Sequence, residues 1–251
     1  MHEEYIRIVP GAKTAVLMIH GICGTPNHFR GILPLQDKVP ENCSVYNIVL
    51  EGHCKTVKDF ASSSMEQWKS QVWRVFGQLA QTHEQVVLVA HSMGTLFSIQ
   101  LGLEFPEKIP FLFLINVPMR AWVRFFGLRN MLRLTFGRLD MDDPIQASTL
   151  QVTGVTPTKK LWKYFTWIPR IFELLGEMRR TQKSLPQLNL PAVAFQSRRD
   201  ELVRNRSETI LRKSGKVDVV VLEESTHFYY KPEDIAAIHR IFVQYWETYI
   251  T

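Results

Sequence analysis

Ser92 lies in a sequence context that could make its hydroxyl reactive. It follows the apolar run Val86–Ala90, which predicts a strand buried on both faces, and helically spaced apolar residues follow Gly94. Small residues two positions before and after a serine permit a tight strand-to-helix turn, the nucleophile elbow, which lifts the hydroxyl clear of a sheet. Ala90 stands where the usual pattern has glycine. A plain turn with a capping serine is the alternative interpretation.

Two later side chains could activate this serine. Asp200 and His227 each follow a predicted strand, at Pro191–Gln196 and Val217–Leu222. A serine hydroxyl is a poor nucleophile at neutral pH and needs a base such as imidazole, whose tautomer a carboxylate can fix. Because parallel strands place their carboxyl ends at one edge of a sheet, we expect these residues to meet there. Glu201 remains an alternative for the carboxylate.

The loop after the predicted strand Ala15–Ile19 could stabilise negative charge. Its sequence is HGICG, and its glycines allow the backbone to point an N–H group at a substrate oxygen. In acyl transfer at an elbow, the second donor is the N–H directly after the nucleophile. We therefore expect the backbone N–H groups of Ile22 and Met93 to form an oxyanion hole. A plain strand-end turn is the alternative.

These loops need a scaffold, and the chain has the alternation of elements that such a scaffold requires. Its 251 residues, 45% apolar and 22% charged, suit a folded domain with a sizeable core. Predicted strands alternate with predicted helices, which include one beginning at Asn27 and others at Met65–Thr82 and Pro232–Tyr249. This pattern predicts an α/β fold with a mostly parallel sheet and helices on both faces.

Residues 118–186 interrupt the alternation and are predicted to form an inserted helical cap, with residues 1–117 and 187–251 as the core. The segment has no clear strand and is rich in aromatic residues, so its apolar side would cover an acyl-type pocket. From Met119 to Leu185 it contains twelve Lys or Arg against five Asp or Glu, an excess of seven that accounts for the net charge of +6. The basic face predicts transient contact with anionic lipid, and a solvated helical surface is the alternative.

The motifs together resemble the α/β-hydrolase superfamily, in particular bacterial carboxylesterases and monoacylglycerol-lipase-like serine hydrolases. The matching pieces are HGICG, LEGH at residues 50–53, AHSMG at residues 90–94, DELV at residues 200–203 and TH at residues 226–227. The resemblance implies an α/β-hydrolase fold and ester hydrolysis through an acyl-enzyme, with no cofactor. It implies Ser92 as nucleophile, His227 as base and Asp200 as acid. Cys54 stands where the family has glycine after the turn histidine.

The predicted substrate is a small-molecule ester with an apolar acyl group, because the segment expected to cover the site is aromatic. The residues expected to line its pocket are Cys23, His91, Trp122, Phe125, Phe126 and Phe228. A thioesterase or a carbon–carbon bond hydrolase would use the same triad, and a non-catalytic binder of a small ligand is a third interpretation. The other histidines are expected to be structural or loop residues (His20, His53) and surface or helix-packing residues (His28, His83, His239).

Several other functions lack support in the sequence. Three cysteines without paired spacing predict free thiols in a cytoplasmic protein and no metal site, with zinc at His20, Cys23, His53 and Cys54 as a disfavoured alternative. We expect no nucleic-acid partner, because no phosphate-binding or nucleotide motif is present.

The N-terminus lacks the apolar core of a signal peptide, and the longest apolar stretch, Ile109–Met119, is too short to span a bilayer. The oligomeric state is left open.

Overall fold

A seven-stranded sheet forms the centre of the protein. The computed structural model describes residues 3–121 and 125–250, with the backbone alone for residues 125 and 126. In spatial order the sheet contains β1 (Tyr5–Arg7), β3 (Ser44–Ile48), β2 (Thr14–Ile19), β5 (Gln85–His91), β6 (Leu112–Ile115), β8 (Ala192–Ser197) and β9 (Asp218–Leu222). The edge strand β1 is antiparallel to β3, and the other neighbours are parallel. The predicted mostly parallel sheet is confirmed.

Helices cover both faces of the sheet, as predicted. The α-helices are α1 (Val57–Ser62), α2 (Met65–Thr82), α3 (Met93–Glu104), α4 (Phe125–Phe136), α5 (Pro144–Val152), α6 (Ile168–Ser184), α7 (Arg206–Ser214) and α8 (Pro232–Tyr249). Successive strand residues point to opposite faces. Leu17 and Leu88 accordingly cluster with buried residues of α2, α3 and α7, whereas Val16 and Val87 cluster with residues of α8. In the described part of the chain, no helix is long and apolar enough to cross a membrane.

The register of the sheet brings the carboxyl ends of its central strands to one level. Ile19, the last residue of β2, lies opposite Ala90 of β5, which in turn lies opposite Leu114 of β6. The next residue of β6, Ile115, lies opposite Phe195 of β8. The loops that follow these strands therefore begin at the same edge of the sheet, where α/β folds place their binding sites.

Helices α2 and α8 begin and end at the predicted residues, but the helix predicted to begin at Asn27 is wrong. This region contains two short 3-10 helices, Pro26–His28 and Gln36–Lys38, separated by turns. Pro34 has no N–H to donate to a helical hydrogen bond, and a glycine such as Gly31 is unfavourable in the interior of a helix. The carbonyl of Asn27 instead accepts hydrogen bonds from several following N–H groups in a compact turn. The apolar spacing reflected burial of this loop rather than a helix.

The segment between β6 and β8, residues 118–186, is called the insertion below. It contains α4, α5, α6 and the 3-10 helix Leu161–Trp167. The expectation that it has no strand is wrong, because β7 (Val155–Thr156) pairs in parallel with β4 (Lys55–Thr56) outside it. A two-residue strand leaves no periodic signal, and this one follows the docking of Gly154 against distant loops. The predicted boundaries of core and cap remain predictions.

Helix α3 begins directly after β5, and Gly94 in its first turn lies against the end of β2. A β-carbon placed on Gly94 would be 2.3 Å from the carbonyl oxygen of Ile19, far inside van der Waals contact. The backbone carbonyl cannot retreat without breaking its place in the sheet. The small residue that the sequence pattern requires after the serine is therefore needed for helix–sheet packing.

We predict that Gly94→Ala lowers the free energy of unfolding by about 3 kcal/mol or more, because the methyl group overpacks a rigid contact. Gly77→Ala is the matched control, since nothing lies within 4 Å of a β-carbon at Gly77 in the interior of α2. It should raise stability by about 0.5–1 kcal/mol. Urea unfolding of both variants measures the difference. Equal effects at the two positions would contradict the close packing at Gly94.

Candidate active site

Ser92 occupies a strained turn between β5 and α3. Its backbone has φ 50° and ψ −122°, a region that residues other than glycine rarely adopt. Its N–H donates to the carbonyl of Ile115 at 2.8 Å, so the end of β6 holds the turn in place. The serine is 7% exposed. This geometry separates the side chain from the regular ladder of the sheet and agrees with the turn predicted from its small neighbours.

Asp200 and His227 meet in the loops after β8 and β9. His227 Nδ1 lies 2.7 Å from Asp200 Oδ2, and the other carboxylate oxygen accepts the N–H groups of Leu202 and Val203, each at 2.7 Å. The carboxylate is therefore oriented by three hydrogen bonds. The proton of the neutral imidazole lies on Nδ1, which leaves Nε2 as an acceptor.

The pKa of His227 differs from those of the other buried histidines near the site. Burial alone would lower the pKa of His227, but the charge and hydrogen bond of Asp200, together with the charge of Glu201, raise it. Burial lowers the pKa of His28 and His91 well below the usual value, and the charges of neighbouring histidines lower both further. One imidazole of this group is thus suited to carry a proton near neutral pH.

His91, the residue before Ser92, contacts His227. The ring of His91 lies 4.7 Å from that of His227, centroid to centroid, and its Nε2 donates to the His227 carbonyl at 3.2 Å. Within residues 3–121 and 125–250, no hydrogen bond joins the Ser92 hydroxyl to the His227 ring. Such contacts are often long in free enzymes and tighten with substrate.

The HGICG loop lies directly against Ser92. A β-carbon on Gly21 would be 2.7 Å from the β-carbon of Ser92, so only glycine permits this approach. In the described part of the chain, the N–H of Ile22 has no hydrogen-bond acceptor, whereas the next N–H donates to His53. Met93 opens helix α3, and the first N–H groups of a helix have no intrahelical acceptor. Two donors near the serine are thus available to an anion.

Two neutral histidines hold this loop. His20 Nε2 accepts the N–H of Leu50 at 3.1 Å, and His53 Nε2 accepts the N–H of Cys23 at 3.1 Å. Both rings donate from Nδ1 to backbone carbonyls, which fixes their tautomers. Burial lowers the pKa of His20 to about 4 and lowers that of His53 as well. His20 and His53 therefore have the structural role that the sequence predicted, which is to hold the loops by hydrogen bonds.

Three residues that the sequence analysis did not single out for the site support the His227 loop. Asn116, in a positive-φ conformation directly after β6, donates to the His227 carbonyl at 3.3 Å and to the Tyr230 hydroxyl at 3.0 Å. Tyr230 also donates to that carbonyl. His28 is buried and stacks on His91 at 3.6 Å, so the expected surface or helix-packing position is wrong. The only available signal was the position of Asn116 at a strand end.

The residues predicted to line the pocket differ in their burial and in their contacts. Phe228 is half-buried and its ring contacts that of His227, 4.6 Å away. Cys23 is half-buried beside Ile22, and burial raises the pKa of its thiol to about 12. His91 is buried between His28 and the His227 loop. Trp122 and the side chains of Phe125 and Phe126 lie outside the described residues.

The insertion contacts the loops on both sides of the site. Ala121 forms an antiparallel bridge with Val203, three residues after Asp200. Near its middle, the insertion donates the N–H of Gly154 to the carbonyl of Cys23 at 2.7 Å, within the HGICG loop. These two contacts join the insertion to the loop after β8 and to the loop after β2. Among the described residues, no group of three or more His, Cys, Asp or Glu side chains could hold a metal ion.

Comparison with known proteins adds a family match and a set of related folds. Residues 16–238 match the alpha/beta hydrolase family. Similar solved structures include one reported for the metagenome-derived lipolytic enzymes LipS and LipT (TM-score 0.74, 18% identity, 98% of each chain). Others are the Paleococcus ferrophilus monoacylglycerol lipase (0.66, 15%, 98% of each chain) and a thioesterase domain from the curacin biosynthetic pathway (0.57, 17%, 96% of this chain and 98% of that one). No curated protein matches. At these identities the structural likeness shows the fold alone.

Proposed function

We propose that this chain, which belongs to the alpha/beta hydrolase family, is a serine hydrolase that cleaves carboxylic esters through an acyl-enzyme. The contact of 2.7 Å between His227 Nδ1 and Asp200 Oδ2, in the loop network that also surrounds Ser92, is the observation that carries the proposal. It leaves Nε2 of a histidine with raised pKa free to accept a proton.

In the first half of the proposed reaction, Ser92 Oγ attacks the ester carbonyl while His227 Nε2 takes the hydroxyl proton. Asp200 stabilises the imidazolium that forms. The carbonyl oxygen becomes an oxyanion and accepts hydrogen bonds from the N–H groups of Ile22 and Met93, donors that need no reorganisation because their loops are already fixed. His227 then protonates the leaving alcohol, and the acyl group remains on Ser92.

In the second half, water attacks the acyl-serine ester under the same base. His227 takes a proton from the water, the oxyanion forms again between the same two N–H groups, and collapse releases the carboxylic acid. The proton returns to Ser92 Oγ. No step requires a cofactor.

The proposed substrate is a small ester with an apolar acyl group, and residues 118–186 are proposed to act as its cap. Phe228 supplies an apolar wall beside the base. A thioesterase would use the same nucleophile and oxyanion donors. The preference for an ester or a thioester therefore depends on how the site accommodates the leaving group. Nitrophenyl esters and acyl thioesters of matched chain length distinguish the two activities. The three free thiols fit a reducing compartment, and we propose a cytoplasmic location.

We predict that a fluorophosphonate probe labels the protein covalently and that Ser92→Ala abolishes labelling, because the probe reacts with an activated serine. Ser98→Ala is the matched control: Ser98 is buried in α3, the helix that follows Ser92, and its hydroxyl donates to the carbonyl of Gly94. Intact-protein mass spectrometry measures the adduct. His227→Ala should slow labelling and ester turnover by about 10³-fold or more while folding is kept. Labelling that survives in Ser92→Ala would sink the proposal.

We further propose that the insertion contacts anionic lipid through the stretch Lys159–Phe172. Its large apolar side chains are exposed: Leu161, Trp162 (63%), Phe165 (70%), Ile168, Ile171 and Phe172 (68%). Exposed lysines at 159, 160 and 163 lie among them, and the stretch contains no acidic residue. Exposed aromatic residues interleaved with cations fit the boundary between lipid headgroups and acyl chains. An acidic protein surface would match the charge but would leave the apolar side chains uncovered.

We predict that the protein sediments with vesicles of phosphatidylcholine and phosphatidylserine and much less with phosphatidylcholine alone. Phe165→Ser/Phe172→Ser should weaken binding about a hundredfold, because burial of each of the two rings contributes about 1.5 kcal/mol. Ile8→Ser is the control, since Ile8 is 67% exposed but lies outside the insertion. An equal loss in Ile8→Ser, or equal binding to both kinds of vesicle, would contradict the proposal.

A further inference from the structure

Glu201 is a buried carboxylate beside the proposed base that the mechanism above does not use. It is 4% exposed, and its Oε2 accepts the backbone N–H of His227 at 3.0 Å. Asp200, the preceding residue, binds the ring of the same histidine. The sequence left Glu201 as an alternative for the ring contact. In the structure, one carboxylate holds the imidazole and the other holds the backbone.

The insertion packs against the side chain of Glu201. A β-carbon on Gly127, in the first turn of α4, would be 3.1 Å from both the β-carbon and the γ-carbon of Glu201. Gly127 is itself buried. Helix α4 therefore packs against the aliphatic part of the Glu201 side chain, which is buried. A charge shielded from water acts more strongly on its neighbours than one at the surface.

We propose that Glu201 is a positioning residue that acts through His227: its carboxylate fixes the histidine backbone and supplies a second negative charge that favours the imidazolium. The catalytic meaning of this role rests on the proposed function, whereas the electrostatic role does not. Two buried carboxylates of adjacent residues repel each other, so a purely structural hydrogen bond would be better served by a neutral glutamine. An ionised carboxylate at this position has a different use, which is to stabilise His227 as a cation.

The charged groups around Glu201 and His227 determine whether the Glu201 charge raises or lowers the pKa of His227. Among the described residues, Asp200 and His227 are the charged side chains that act on Glu201: burial and Asp200 raise the pKa of Glu201, and His227 lowers it. His227 faces Asp200, Glu201 and the neutral rings of His28 and His91, with the Tyr230 hydroxyl on its carbonyl. An ionised Glu201 raises the pKa of His227. Removal of this charge must lower that pKa, so the neutral base persists to lower pH.

The test compares Glu201→Gln, which keeps an acceptor for the His227 N–H but removes the charge, with wild type. Glu224→Gln is the matched control, because Glu224 is on the loop that carries His227 but its side chain is 43% exposed and paired with Arg199 and Lys231. NMR titration of the His227 ring, assigned with a His227→Gln spectrum, measures its pKa directly. We expect a decrease of about one pH unit in Glu201→Gln and no change in Glu224→Gln. Glu201→Ala provides the same charge removal if the glutamine variant does not fold.

The pH dependence of fluorophosphonate labelling then connects this role to Ser92. The acid limb of the labelling rate should move to lower pH by the same amount in Glu201→Gln, with a plateau roughly tenfold lower because the imidazolium is less stabilised. An unchanged His227 pKa in the charge-removal variant would overturn the inference and leave Glu201 a structural hydrogen bond. A shifted His227 pKa without any labelling of Ser92 would instead overturn the proposed function and leave the electrostatic role in place.

Discussion

The close contact between helix α3 and strand β2 constrains everything at the carboxyl edge of the sheet. Gly94 allows the helix to start against the carbonyl of Ile19, and this fixes the strained turn at Ser92. Gly21 lies against the serine from the neighbouring loop, within a distance that any larger residue would violate. Two glycines thus remove the atoms that would hold the HGICG loop away from Ser92 and the first turn of α3 away from β2.

Around this contact, buried histidines divide into two roles. His20 and His53 use both ring nitrogens for loop hydrogen bonds and are kept neutral by burial. His91 supports the backbone of His227. His227 differs because carboxylates face both its ring and its N–H. The same low-polarity interior that keeps the first group neutral strengthens the attraction between His227 and its acidic neighbours.

Much of this arrangement could be predicted because it depends on local sequence. Apolar runs predicted the central strands, and the serine between two small residues predicted the turn at Ser92. The contact of Asp200 with His227 followed from their positions after neighbouring strands. The failures have two physical causes. The helix expected at Asn27 had apolar spacing, but Gly31 and Pro34 prevent a continuous ladder. Asn116 and Tyr230 support His227 through contacts between residues far apart in sequence, and no short pattern predicts those.

The central claim is that Ser92 reacts while the N–H groups of Ile22 and Met93 bind the developing oxyanion. A crystal structure of the protein after reaction with a fluorophosphonate tests this most directly, because the phosphonyl oxygen occupies the position of the oxyanion. We expect phosphorus bonded to Ser92 Oγ and the phosphonyl oxygen about 3 Å from the backbone nitrogens of Ile22 and Met93. Phosphorus bonded to another residue, or an oxygen that points away from both N–H groups, would contradict it.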